Sequence, residues 1–329
     1  MRRGSVLTFH CHRQPPKTMS GQVGGISRNK MPLLQLVPDF VLKPMQTGNR
    51  GIREVAFYEA IRCTLDARSH LNCNNTLGQV AKWLFPQLHY NLKYFRLIKD
   101  WERVAAPEGS LLTRLAEFVP AYYGVLEHQS SPEQETPIQY LVLRDMTDSY
   151  LKPCVMDIKM GTQTYEPEAP EEKKMRESSK YPQQTTFGFR IVGLKRYDPG
   201  HQDANSLGVR TLGKSFGRSL TTPVSILDTL RYFLSSNQHP EVRHDTLSQL
   251  VQRLESLFQW FVDNDSFSFY ASSILIVYEG ENQNQKAHVD MKMIDFGHVR
   301  RSLGGDDGYK AGLSMLILLC EELLLETRT

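Results

Sequence analysis

The sequence predicts an α+β fold of two lobes: a small β-rich lobe with one helix, a hinge, and a larger mixed lobe. Three observations carry this. Strand-like and helix-like stretches do not alternate regularly, which argues against a doubly wound parallel sheet. Up to about residue 146 the apolar runs are short and strand-like around a single helical stretch, and the longest helical patterns lie beyond. At 329 residues the chain exceeds one minimal domain and suits one large two-lobed unit or two domains.

Residues 1 to about 20 hold Arg, His, Pro and Ser but no acid, and they read as a disordered basic tail. The same composition is that of a weak transit peptide, and Met19 is an alternative start. "FVLKPM" (Phe40 to Met45) reads as a strand. "GNRGIREVAFYEAIRCTL" reads as a loop and a helix, with Ile52, Val55, Ala56 and Ile61 near helical spacing. The stretch of about 66–110, with its aromatic cluster "WLFPQLHYNLKYFRLIKDW", reads either as an insertion packed on the small lobe or as a surface for a partner. "FVPAYYGVLEH" and "IQYLVLRDM" form a strand pair joined by the polar, proline-bounded "HQSSPEQETP". The first lobe thus spans 21–146 and the second 147–329.

In the second lobe, "PCVMDIKMG" and "TFGFRIVGLKRYD" read as strands and "NSLGVRTLGKSFGRSLT" as a Gly-rich connection. Thr222-Pro223 opens a helix with cap and first-turn chemistry. From Asp245 to Phe261, Leu247, Leu250, Val251, Leu254, Leu257, Phe258 and Phe261 recur at helical spacing. "FSFYASSILIVYEG" and "AHVDMKMIDFGHV" read as two strands joined by "ENQNQK", and "YKAGLSMLILLCEELLLE" as a buried helix.

Composition excludes several function classes. A net charge of +3 gives no warrant for direct nucleic-acid binding. Five cysteines without a CxxC pair read as a reducing compartment and no structural zinc. No apolar run approaches the ~18 residues of a transmembrane span.

The chemistry-bearing residues begin in the strand from Cys154 to Gly161. Alternation puts Cys154, Met156, Ile158 and Met160 on one face and Val155, Asp157 and Lys159 on the other. Alone, Asp157 and Lys159 have a surface ion pair as the lesser alternative reading. Asp295, however, ends an apolar strand ahead of Phe-Gly-His, where a carboxylate suits a hard cation. Lys43 lies in a strand with Glu54 eleven residues on in the next helix, the phosphate-gripping arrangement of kinase-like small lobes. In this order the set fits an ATP site. A protein-kinase reading fails: there is no G-x-G-x-x-G (the nearest stretch is "QVGGISRN"), no H-R-D loop and no A-P-E. After the strand, "EEKKMRESSK" places Lys173, Arg176 and Lys180 at i, i+3 and i+7, three cations on one helical face. By itself that helix reads as a solvated charged surface, and it becomes a phosphate grip only beside Asp157 and Lys159.

Three ordered motifs, "PCVMDIKMG" (a complete P-x-x-x-D-x-K-x-G), "SSIL" (Ser272 to Leu275) and "IDF" (Ile294 to Phe296), resemble the inositol polyphosphate kinase family. "FYASS", "FGRSL" and "DDGYKAGL" match too, and the third place of "SSIL" departs from the family's Leu. The likeness runs from about Gln22 to the C-terminus, broken at 66–110. The short segment between Tyr165 and Phe187, with "SKYP" and "FGRSL", is most similar to the multikinase branch, whose open substrate lobe suits several substrates.

The resemblance implies a two-lobed, protein-kinase/ATP-grasp-like inositol polyphosphate kinase fold with a short inositol-phosphate-binding segment at 162–186. It implies ATP as co-substrate, Mg²⁺ as cofactor, and transfer to soluble inositol phosphates, from inositol 1,4,5-trisphosphate to tetrakisphosphate and pentakisphosphate (6-/3-/5-kinase). Lys43, paired with Glu54, would hold the α/β-phosphates. The hinge backbone at Arg144, Asp145 and Met146 would read adenine. Asp157 would contact ribose or order the site. Lys159 would neutralise the transferred phosphoryl group, and Asp295 would bind the metal. Lys173, Arg176, Lys180, Lys214 and His298 would contact the inositol phosphate. The expected state is a monomer in nucleus and cytoplasm. The alternatives are a hexakisphosphate kinase, a single-step trisphosphate 3-kinase, and a non-enzymatic phosphoinositide-binding scaffold.

Overall fold

The computed structural model describes residues 17–18, 33–37, 40–69, 106–128, 138–197, 208–235, 241–280 and 288–327. The first lobe is a five-stranded antiparallel sheet in the order β1-β2-β3-β5-β4. Its strands are β1 (Lys17–Thr18), β2 (Leu34–Val37), β3 (Phe40–Pro44), β4 (Tyr122–His128) and β5 (Ile138–Arg144). Helices α1 (Asn49–Ser69) and α2 (Ala106–Leu115) complete it. Lys17–Thr18 pair with Gln35 and Leu34, so the stretch read as a disordered tail contributes an edge strand. The stretch of about 66–110 is helical where it meets the lobe, since α1 continues to Ser69 and α2 begins at Ala106, so the expectation of a single helix in the first lobe is corrected to two among the described residues. The aromatic cluster between them lies outside the described residues.

The second lobe is built on a sheet in the order β11-β10-β6-β7-β8. It contains β6 (Pro153–Met160), β7 (Phe189–Tyr197), β8 (Val209–Leu212), β10 (Ser273–Glu279) and β11 (Val289–Ile294). One face meets the core. Met156, Ile158, Ile274, Met291 and Met293 are fully buried there against α7 (His244–Asp263) and α8 (Asp307–Glu326). The apolar stripe of α7 is buried as its spacing requires: Leu247, Leu250, Val251, Leu254, Leu257 and Phe261 all point inward. Helix α6 (Pro223–Leu234) opens with a capping box between Thr222 and Ser225, which satisfies amides that the first turn would otherwise leave bare.

Three local expectations are corrected. The Gly-rich connection after β7 contains β8 and a short helix, α5 (Lys214–Ser219). The run "FSFYASSILIVYEG" is two strands, β9 (Phe267–Phe269) and β10, broken at Tyr270–Ser272. The run "AHVDMKMIDFGHV" is likewise β11 and β12 (Val299–Arg301), broken after Ile294. β9 and β12 pair with each other in a separate ribbon. At each break a non-glycine residue turns left-handed: Ala271 at φ 55 and Asp295 at φ 67. Extended-chain pairing cannot pass through such a residue, so the hydrophobic pattern continues while the strand stops.

Candidate active site

The cleft face of the second sheet follows from register. Lys159 stands opposite Ser273 and Arg190, Asp157 opposite Leu275, and Val155 opposite Val277. Directly paired residues share a face, so this surface runs from apolar to cationic. At one end Val155, Val277, Leu275, Tyr150 and the hinge residue Met146 form an apolar cluster. Asp157 comes next, then Lys159 and Arg190. A flat apolar group fits the first part and a polyanion the second.

Lys43 on β3 crosses the cleft. Its Nζ donates to Glu54 Oε1 on α1 at 2.6 Å and to the Asp295 carboxylate of the second lobe. Burial opposes the charge on Lys43, but Asp295 and Glu54 outweigh it and hold its pKa above the ordinary lysine value. Glu54 is fully buried, and its Oε1 also accepts from the Phe296 amide at 3.1 Å. Phe296 is thus tied to the helix that carries Glu54.

Asp157 and Lys159 share a face as expected, but they do not form a surface ion pair. Lys159 Nζ donates to the Ala271 carbonyl at 2.7 Å, which the left-handed turn at Ala271 presents. Burial depresses the pKa of Lys159 against the pull of Asp295 and Asp157. Burial also raises Asp157 from 3.8 to about 6, with Lys159 opposing and Asp295 adding to the rise.

The hinge residues divide their roles. Asp145 Oδ1 accepts from the Thr147 amide at 2.8 Å and from its hydroxyl at 2.7 Å, so its carboxylate closes the hinge turn. The Arg144 side chain reaches Asp148 at 3.6 Å. Arg144, Asp145 and Met146 also line a cavity of about 440 Å³ with Tyr58, Ile61 and Tyr122.

The substrate segment departs from expectation in one respect. Helix α3 spans Glu171–Ser178 and ends before Lys180, so Lys173, Arg176 and Lys180 do not occupy one continuous helical face. Past the helix, Lys180 is held by Glu177 at 2.6 Å. Arg176 projects outward with 61% of its side chain exposed. Lys214 opens α5, and its charge acts on Asp157. His298 is half-buried against Glu166, with its Nδ1 3.0 Å from Oε1.

Four participants escaped the sequence reading. Glu166 gathers Arg53 at 2.6 Å, Arg300 at 2.9 Å and His298. Arg53 also donates to the Gly297 carbonyl at 3.1 Å. Arg190, beside Lys159, has no carboxylate at ion-pair distance among the described residues, and burial together with the charge of Arg218 lowers its pKa. The signal for Arg190 was present in the strand alternation of "FGFRIVG". The signal for Glu166 was not, because its partners come from α1 and β12.

Among the described residues no group of three or more His, Cys, Asp or Glu side chains is arranged to hold a metal. Asp295 offers one carboxylate to the cleft, 40% exposed. A small hard cation that keeps waters and takes ligands from phosphates needs little more. The donor set therefore fits a divalent ion bound together with a polyphosphate.

A lysine held between carboxylates from two lobes, above a sheet face graded from apolar to cationic, defines a two-lobed kinase-like protein. The family model described as inositol polyphosphate kinase matches residues 140–321. The chain belongs to the inositol polyphosphate kinase family. It is 30% identical over 304 residues to inositol polyphosphate multikinase alpha of Arabidopsis thaliana, covering 86% of each. It is 31% identical over 267 residues to the inositol polyphosphate multikinase of Homo sapiens, covering 80% of this chain and 51% of that protein, so it spans about half of that relative's length. The inositol phosphate multikinase Ipk2 of S. cerevisiae, solved with ADP and Mn²⁺, superposes with a TM-score of 0.53 at 24% identity, over 64% of this chain and 90% of that one. That likeness concerns the fold.

Proposed function

We propose that this chain transfers the γ-phosphoryl group of ATP to hydroxyls of soluble inositol phosphates, carrying inositol 1,4,5-trisphosphate through tetrakisphosphate to pentakisphosphate. The observation that carries the reading is the Lys43–Glu54–Asp295 arrangement facing Lys159 and Arg190 across one cleft. The apolar floor under the hinge suits adenine, and the hinge backbone supplies its polar contacts. Asp157 suits the ribose hydroxyls. Lys43 grips the non-transferred phosphates.

Lys159 is the lysine best placed for the transferred group. Its pKa is depressed by burial, and a phosphate beside it opposes that depression and favours the ammonium where negative charge develops. Asp295 would hold Mg²⁺, which supplies neutralisation of phosphate charge when bound. Lys173, Arg176, Lys180, Lys214 and Arg190 give the acceptor's phosphates their cations. Catalysis in this reading is positioning and charge neutralisation. The chain acts as a monomer, in nucleus and cytoplasm.

Chromatography of products from purified protein with MgATP and inositol 1,4,5-trisphosphate tests this. The expected result is a tetrakisphosphate followed by a pentakisphosphate. Arrest at one tetrakisphosphate isomer gives the single-step 3-kinase instead. Turnover restricted to inositol hexakisphosphate gives a hexakisphosphate kinase, and no turnover on any of them leaves a binding scaffold.

A further inference from the structure

Granted the inositol phosphate kinase activity above, we infer that Glu166 is a positioning residue. It couples the nucleotide grip of Lys43 and Glu54 to the inositol-phosphate segment, so that each substrate binds more tightly when the other is bound. Helix α3 carries cations of that segment, yet none of its residues is buried. No apolar face docks it, so its place is set at its ends. Behind it, Tyr181 is buried and donates to the Leu220 carbonyl of the second lobe. Ahead of it, Pro170 stands at the start of the helix, and the Glu166 carbonyl accepts from the Ala169 amide at 3.0 Å. One tight turn thus joins Glu166 to α3.

The Glu166 side chain reaches both lobes. Its Oε1 accepts from Arg53 of α1 at 2.6 Å and lies 3.0 Å from His298 Nδ1, and its Oε2 meets Arg300 of β12 at 2.9 Å. Burial favours the neutral acid, but the hydrogen bonds from Arg300 and His298 prevail and bring Glu166 down to about 2. It is an anion throughout the neutral range, and charge-assisted bonds hold it. The front anchor of α3 is therefore fixed to the first lobe by Arg53 and to the second by Arg300.

Arg53 is the chain neighbour of Glu54. Glu54 holds Lys43 at 2.6 Å and the Phe296 amide at 3.1 Å, while Arg53 holds Glu166 and the Gly297 carbonyl at 3.1 Å. Consecutive residues on a helix face different ways. One turn of α1 thus serves the nucleotide side through Glu54 and the substrate segment through Arg53. In the reading above, ATP's phosphates and their metal engage Lys43 and Asp295. That fixes Glu54, the helix carries the constraint to Arg53, and Glu166 brings α3 into place. Linkage makes the effect reciprocal, so the inositol phosphate tightens nucleotide binding by the same factor.

Titration calorimetry of the full chain with inositol 1,4,5-trisphosphate, with and without a saturating non-hydrolysable MgATP analogue, tests this. In the wild-type protein the analogue should tighten the trisphosphate about tenfold, and the reverse titration should give the same factor. Glu166→Gln keeps the shape and removes the charge. It should cut the factor to about twofold or less, while the Kd of the analogue alone stays at the wild-type value. Arg53→Met should lose the coupling in the same way, and the double variant should lose no more than either single one, since both break one link. Arg300→Met, whose tie stays inside the second lobe, should keep it. Equal loss in Arg53→Met and Arg300→Met reduces Glu166 to a structural tie and overturns the inference. So does an active wild-type protein whose affinity for each ligand ignores the other. Wild-type protein that binds no inositol trisphosphate, or turns none over with MgATP, sinks the kinase reading and the coupling with it.

Discussion

Two residues carry the backbone strain among the described non-glycine positions, Ala271 and Asp295. A left-handed conformation costs an L-residue about 1–2 kcal/mol, and it persists where surrounding contacts over-determine it. Asp295 is fixed by Lys43. Ala271 presents its carbonyl to Lys159, and the next carbonyl, Ser272, accepts from the Met160 amide at 3.0 Å. The strain thus sits on the two turns that set the two cleft lysines.

Asp157 gives a sharper test at the same scale. Its folded pKa is raised from 3.8 to about 6. The native state therefore holds the proton more tightly than the unfolded chain does. The resulting stabilisation is full below the unfolded value and is lost as pH rises through about 6, and the span corresponds to about 3 kcal/mol. Asp157→Asn removes this titration. In nucleotide- and metal-free protein, its stability should gain on wild type between pH 4.5 and pH 7.5, while turnover falls. Urea melts at the two pH values check this, and an equal difference at both would mean that burial does not govern Asp157.

Among the elements, α8 lies against the start of β7 at a glycine–glycine contact. A Cβ added at Gly312 would stand 2.1 Å from the Gly188 carbonyl oxygen, and Gly188 is itself left-handed at φ 69. Gly312→Ala should destabilise by about 2–3 kcal/mol through overpacking, read as a lowered denaturant midpoint with an unchanged m-value. A midpoint equal to wild type would mean that the helix can move aside at no cost.

Helix α3 makes the opposite case, because it buries nothing. None of its residues is committed to the core, and Lys173 forms no ion pair among the described residues, while Arg176 reaches only Glu177 at 3.9 Å. Lys173→Ala combined with Arg176→Ala should raise KM for inositol trisphosphate about tenfold, or about 1.4 kcal/mol, with KM for ATP unchanged. The modest size reflects solvent screening of the exposed Arg176. Steady-state kinetics with each substrate varied in turn decide between this grip and an ordinary solvated helix.

At the scale of the molecule, the lobes are tied through the site itself. Lys43 of the first lobe meets Asp295 of the second, and Glu54 and Arg53 on one turn of α1 hold Phe296 and Gly297. Lys43→Ala leaves Glu54 and Asp295 facing each other without their cation. It should cost about 2 kcal/mol of stability, below the ~3–5 of a fully buried pair because Asp295 is half exposed. ATP affinity should fall with it. Calorimetry with and without nucleotide checks both, and full stability with normal nucleotide binding would show that the lobes do not depend on this lysine.

The sequence by itself determined the strand alternation that puts Asp157 beside Lys159, the pairing of Lys43 with Glu54, the buried stripe of α7, and the family. The alternation and the α7 stripe rest on the periods of 2.0 and 3.6, the Lys43–Glu54 pairing on the kinase-like order of strand lysine and helix glutamate, and the family on its resemblance in three ordered motifs. Only the tertiary structure decided where the hydrophobic runs break at Ala271 and Asp295, that α3 stops before Lys180, and that Glu166 gathers Arg53, His298 and Arg300. Residues 53, 166, 298 and 300 have no common period. They meet because two sheets and a helix converge there, and the energy of a buried ionic cluster depends on distance in space, which sequence separation does not encode.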